Sequence, residues 1–354
     1  MSDAAGWSLT ESDPGIMTGI LHELGLKSLD VEELYALDPS LLNSFEPLHA
    51  LIFLFKWIGP KEPSTSGGLY VEIPDEKGYF AHQVINNACA SIALINAVMN
   101  LGEDWDLGDE LSNLKMFSTG LGAEDKGWTI SNSEKIRQVH NSFARADPFH
   151  LEESRPPTDD DHAYHFICYV PISDTLYELD GLKPSPVSHG VIPGGKEKWA
   201  LHAKECVSNP FQKELLRSSN HHSLHFPSPS SVLERRISTH PPGEVMFNLL
   251  CITSRRHQLE QKLAKIQSST SAGSGDDGSE WEMKEQLKEI EERLKGWEVE
   301  NELRRHNYVG LIHALLLELA RKGELTPAIE GAKKTMQKKV EERKSKGQEM
   351  ELDD

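Results

Sequence analysis

Residues 87–102, NACASIALINAVMNLG, constrain the fold more than any other stretch of this 354-residue chain. Read as a helix, they carry apolar side chains on every side rather than in one stripe. Such a helix cannot lie on a surface and must be buried inside a domain. Gly102 is its expected stop, because helices commonly end on glycine.

Strand-like segments supply the rest of that core. HAYHFICYVPISDTLYELDGL (162–182) reads as two strands joined by a tight turn at Ser173–Asp174. EVMFNLLCIT (244–253) is apolar enough to lie mid-sheet, and SFEPLHALIFLFKWIG (44–59) reads as a capping Ser44 followed by a buried strand or short helix ending at Gly59. Helices and strands around one core define an α/β (α+β) domain, placed here at residues 1–266. Within it, 207–230 is polar and broken by prolines, as expected of a surface insertion. QSSTSAGSGDDGSE (267–280) has the Ser/Gly/Asp composition of a flexible linker.

Residues 281–354 are helical throughout in pattern. Met283, Leu287, Ile290, Leu294 and Trp297 form a heptad stripe, which predicts a seam packed on a partner or on another tail helix. A second helix carries Leu311, Ile312, Leu315, Leu316 and Leu319. A third starts at Thr326–Pro327, a cap followed by proline at the first helical position. So small a unit buries little surface by itself, which points to a binding partner.

The formal charge is −19. Residues 281–354 hold 15 Lys+Arg and 17 Asp+Glu, a net of −2, so −17 lies in 1–280. That field disfavours nucleic acid and favours basic partners. The four cysteines, Cys89, Cys168, Cys206 and Cys251, are scattered, which argues against a disulfide framework or zinc ribbon and for reduced thiols. The opening MSDAAGWSLTESDPG is polar and acidic, unlike a signal peptide, and the longest apolar runs are too short to span a bilayer. The expected location is cytoplasmic and nuclear.

Cys89 stands at the start of the apolar helix. Capped by Asn86 or Asn87, it would sit in the first turn, where unpaired amides and the helix dipole favour a thiolate and can donate to an oxyanion. Gln83, in the extended approach, offers a second donor. A thiol nucleophile requires an imidazole, and the imidazole an orienting carboxylate. In the hairpin His165 falls opposite Leu182, with Asp180 its diagonal neighbour on the same face. Tyr164, Phe166 and Cys168 then point the other way, into packing. A buried structural cysteine, a satisfied core histidine and a turn aspartate are the alternative readings. His221 and His225 have the i, i+4 spacing of a metal pair, but the surrounding Ser and Pro argue against the helix it requires.

YFAHQVINNACASIALINAVMN, HAYHFICYVPISDTLYELDGLKPSPVSHG and PLHALIFLFKW resemble the ubiquitin C-terminal hydrolases, a class of cysteine deubiquitinases. The resemblance covers most of residues 7–265. It implies a papain-like cysteine hydrolase domain with a central antiparallel sheet flanked by helices, plus a C-terminal all-helical extension. It also implies Cys89 as nucleophile, His165 as general base and acid, Asp180 as its orienting group and Gln83 as oxyanion donor, with no cofactor or metal. The implied substrates are ubiquitin and ubiquitinated proteins. NELRRHNYVGLIHALLLELARKGELTPAIEGAKK (301–334) is similar to the C-terminal domain of the proteasome-associated member. That implies docking of 281–354 on the adaptor domain of a proteasomal ubiquitin receptor. In this family a loop matching RADPFHLEESRPPTDDD (145–161) crosses the active site. A non-catalytic ubiquitin-binding scaffold and a thiol redox sensor are the rival functions.

Overall fold

The computed structural model describes residues 6–35, 39–56, 68–144, 164–192, 199, 247–269, 277–306 and 308–345. The 207–230 insertion, the 145–161 loop and His221 and His225 lie outside them. Among the described residues seven strands form one sheet: β1 (Asp30–Glu33), β2 (Leu48–Lys56), β3 (Leu69–Tyr70), β4 (Tyr164–Ile172), β5 (Thr175–Leu179), β6 (Val187–Val191) and β7 (Phe247–Thr253). Their spatial order is β1-β7-β2-β4-β5-β6-β3 and every neighbouring pair is antiparallel. The nearly continuous apolar run of β2 fits a strand covered on both faces. It sits between β7 and β4, and β7 itself lies between β1 and β2.

Helices α1 (Pro14–Glu23), α3 (Cys89–Val98), α4 (Gly108–Ser118), α5 (Ala123–Asn132) and α6 (Glu134–Ser142) contribute to the core on one face of the sheet. The short α2 (Pro39–Ser44) and Trp199 cover the other face, over Phe53, Phe55 and Tyr169. The molecule is therefore an antiparallel sheet flanked by helices, with a helical C-terminal region. Every residue of α3 from Ala90 to Val98 is buried, as the all-round apolar pattern requires. Its end differs from expectation. The helix stops at Val98 with Met99 as C-cap, before Gly102. The Asn100 side chain ends it by donating to the Asn96 carbonyl (2.6 Å). Ser44 likewise closes α2 rather than opening a strand, its hydroxyl donating back to Leu41 O (2.6 Å).

The hairpin turn at Ser173–Asp174 is present, with Ile172 opposite Thr175 and Ser173 in the left-handed region (φ 55°). The linker expected at 267–280 is helical at both ends. Residues 267–269 close α7 (Arg255–Ser269) and 277–280 open α8 (Asp277–Arg305). The heptad seam also lands elsewhere than expected, since α8 packs on α1 and α7 of the same chain. A Cβ on Gly15 would come within 2.7 Å of Trp297 Cγ, so glycine is what lets the two helices approach. Asn301 Nδ2 donates to Gly15 O (3.0 Å), Arg304 pairs with Asp13 (3.1 Å), and Arg305 and Arg293 pair with Glu23 and Glu32. Leu259 and Leu263 of α7 and Ile290 of α8 are buried.

The compact unit thus extends to Arg305, and residues from His306 onward form a second unit. Its described part is α9 (Val309–Arg321) and α10 (Leu325–Ser345). They are joined through Gly323 (φ 72°), whose turn has Glu324 N donating to Leu319 O (2.9 Å) and Gly323 N to Ala320 O (3.1 Å). Helix α10 begins at Leu325, just before the expected Thr326–Pro327 start.

Substituting Gly15→Val forces a branched side chain into Trp297. Overpacking of this kind costs about 1–3 kcal/mol. The expected result is that loss in urea unfolding of the full chain, with Gly310→Ala, where an added Cβ meets nothing within 4 Å, as the comparison that shows no loss.

Candidate active site

Cys89 is the first residue of α3 and is partly exposed, while the rest of the helix is enclosed. Neither asparagine caps it. The N-cap is Ala88, with no side-chain cap bond. Asn87 adopts the left-handed region (φ 64°), and its Nδ2 instead donates to Trp7 O (3.0 Å). The first-turn amides, which have no intrahelical acceptor, are thus left unclaimed by a cap and concentrate positive potential beside the sulfur.

His165 stands at the start of β4, opposite Phe55 of β2, whose ring meets the imidazole edge-on at 5.8 Å between centroids. The β4/β5 register pairs Cys168 with Leu179, so Asp180 follows directly at the end of β5. His165 Nε2 donates to Asp180 Oδ1 at 2.6 Å, and both side chains are buried. Asp180 Oδ1 also accepts from Leu182 N (3.0 Å). Cys89 acts on the same imidazole, whose Nε2 is taken by Asp180.

Burial opposes a charge on His165, but its hydrogen bond to Asp180, the interaction with Cys89 and the Asp180 charge outweigh it and raise its pKa to about 9. Burial also opposes ionisation of Asp180. Its bond to His165, the imidazolium charge, Lys183 and the Leu182 amide overcome that and hold the carboxyl below its usual range. The native state therefore binds the His165 proton more tightly than the unfolded chain does. That contribution to stability is complete below the ordinary value of 6.5 and is lost as pH rises through about 9.

Gln83 lies on the segment leading into α3. Its Nε2 donates to Ile85 O (3.1 Å), and among the described residues its buried Oε1 has no partner. Gln83 N donates to Gly181 O (2.9 Å), so the residue after Asp180 touches the segment carrying Gln83. A Cβ on Gly181 would lie 2.9 Å from Gln83 N, which explains the glycine. All four candidate residues thus fall in one region. Phe166 and Cys168 pack against α3 as expected, but Tyr164 does not, being 45% exposed at the strand's start. Cys168 and Cys251 are fully buried, and burial pushes both thiols up, away from thiolate chemistry. Among the described residues, no group of three His, Cys, Asp or Glu is placed to hold a metal, and no helix is long and apolar enough to cross a membrane.

Sequence reasoning missed the polar residues inside α3. Ser91 Oγ lies 2.8 Å from Nδ1 of buried His140, whose Nε2 donates to Ser8 O (2.7 Å). Burial holds the His140 pKa down, which keeps the ring neutral, with Nδ1 accepting from Ser91. Asn96 and Asn100 tie the chain at Ala81 and Tyr79 to the helix. The signal was available: a polar side chain on a helix enclosed on all sides must have a partner.

The ion pair predicts a pH profile. The alkaline limb of kcat/KM is expected near pH 9, where His165 loses its proton. Asp180→Asn removes a group that raises the His165 pKa, so the limb should move down toward 6.5, as read from initial rates across pH.

The model for ubiquitin carboxyl-terminal hydrolase, family 1, matches residues 7–212, and a second model, described as ubiquitin carboxyl-terminal hydrolases, matches residues 282–325. Ubiquitin carboxyl-terminal hydrolase 2 of Schizosaccharomyces pombe is 37% identical over 305 residues, 86% of this chain and 88% of that protein. Ubiquitin carboxyl-terminal hydrolase isozyme L5 of Dictyostelium discoideum is 33% identical over 381 residues, 97% of this chain and 100% of that protein. The crystal structure of Trichinella spiralis UCH37 bound to ubiquitin vinyl methyl ester superimposes with a TM-score of 0.59 at 29% identity, covering 82% of this chain and 99% of that one.

Proposed function

Because the chain belongs to the ubiquitin carboxyl-terminal hydrolase family, we propose that Cys89, His165, Asp180 and Gln83 are the residues that carry out its thiol-dependent deubiquitinase reaction. The observation that carries this assignment is the buried imidazole of His165, hydrogen-bonded to Asp180 and influenced by Cys89 at the start of α3. Cys89 gives its proton to His165 to become the attacking thiolate. The thiolate attacks the carbonyl of ubiquitin's C-terminal glycine, and the charge that develops on oxygen is held by the Cys89 amide and the Gln83 side chain. As the C–N bond breaks, His165 gives its proton to the leaving amine, leaving a thioester. His165 then takes a proton from water, which hydrolyses the thioester and restores Cys89.

Ubiquitin carrying a vinyl methyl ester at its C-terminus tests the assignment. Mass spectrometry should locate the adduct on Cys89, and Cys89→Ala should abolish it. Turnover of a ubiquitin amide should fall about 10²–10³-fold in Gln83→Ala. An adduct on another residue would overturn the nucleophile, and a loss under about threefold would overturn the role of Gln83.

The C-terminal helices support a second element of the proposal, docking on the adaptor domain of a proteasomal ubiquitin receptor. Leu311, Ile312, Leu315 and Leu316 of α9 are all exposed, a cluster that a partner helix face would cover. Leu311→Asp with Leu315→Asp should weaken binding of that domain by about 2 kcal/mol or more in calorimetry while leaving the melting temperature of the enzyme unchanged.

A further inference from the structure

We propose that Asn96 is a positioning residue for the oxyanion site, acting through Gln83; the inference rests on the role assigned to Gln83 above. Asn96 is completely buried on α3, two turns beyond Cys89. A carboxamide in such surroundings is costly unless both of its ends are hydrogen-bonded. Both are, and to one residue: Asn96 Oδ1 accepts from Ala81 N (2.8 Å), and Asn96 Nδ2 donates to Ala81 O (3.0 Å).

That is the pairing a neighbouring strand would provide, yet residues 79–83 belong to no strand of the sheet. Side chains and loops hold them instead. Asn100 pairs with both backbone groups of Tyr79 (2.7 and 2.8 Å), Ala123 O accepts from His82 N (2.9 Å), and Gly181 O accepts from Gln83 N (2.9 Å). Of the two asparagines, Asn96 grips the residue nearer to Gln83. The two halves of the oxyanion site, the Cys89 amide and the Gln83 carboxamide, are therefore spaced by one rigid helix.

Oxyanion donors act only when placed within about 2.7–3.1 Å of the position the charged oxygen will occupy. Releasing Ala81 removes the restraint two residues before Gln83 and leaves its N–H and C=O without their partners. The loss should fall on the transition state, because nothing in this grip depends on holding ubiquitin. It appears in kcat rather than in KM.

The test is a double-mutant cycle on the full chain, with ubiquitin bearing a C-terminal aminocoumarin amide as substrate. The enzymes are wild type, Asn96→Ala, Gln83→Ala and the double variant, each with its melting temperature. Asn96→Ala should lower kcat between about 10- and 100-fold, with KM within about threefold. In the Gln83→Ala background the same substitution should cost less than about threefold, because the group it positions is gone. An equal fold-loss in both backgrounds, or no loss in wild type, overturns the proposal. A merely structural asparagine gives the former. Gln83→Ala alone reports on the oxyanion assignment, so failure of that reading is recognised separately. Should Asn96→Ala not fold, Asn96→Ser, which keeps one hydroxyl for Ala81, takes its place in the same cycle.

Discussion

Burial of α3 is the constraint on which the rest depends. A helix apolar on all sides has to be enclosed, and the enclosure is the whole domain: the sheet on one side, α1 and α4–α6 around the remainder. Only its first residue, Cys89, is partly exposed. The fold thus fixes the position of Cys89 by embedding its helix where no rearrangement is cheap, because protein interiors are packed as densely as crystals.

The imidazole and its carboxylate are held by a different device. His165 and Asp180 lie on consecutive strands of one hairpin, so their relative position follows from a two-residue turn and the register it sets. Joining hairpin to helix requires a third part, the extended segment 79–83. It bonds α3 through Asn96 and Asn100 and the Asp180 turn through Gly181. Through this segment an imidazole raised to about 9 by Asp180 and Cys89 comes to share a site with the Gln83 amide.

The C-terminal helices divide between two tasks. Helix α8 completes the first unit. Its heptad seam covers α1 and α7, and its last turn is tied to Asp13 and Glu23 through Arg304 and Arg305. Helix α9 keeps Leu311, Leu315 and Leu316 exposed. A heptad stripe shows that a helix has a partner, but the stripe is equally satisfied by an adaptor, a second copy or the chain's own α1. Gly15, which admits Trp297 to the surface of α1, is the feature that selects the last.

Local chemistry made much of this legible in the sequence. The enclosed helix, the Ser173–Asp174 hairpin, the pairing of His165 with Asp180 and the strand of residues 247–253 all follow from periodicity and turn length, which act over a few residues. The resemblance of three segments to one family supplied the chemistry. Only the tertiary structure decided the conformation at Asn87, where contact with Trp7, 80 positions away, outweighs capping. It alone decided the end of α3, which Asn100 sets by reaching both Asn96 and Tyr79. It also decided the docking of α8 on α1. In each case a polar or small residue has several local uses of similar free energy, and the partner that decides among them arrives from a distant part of the chain.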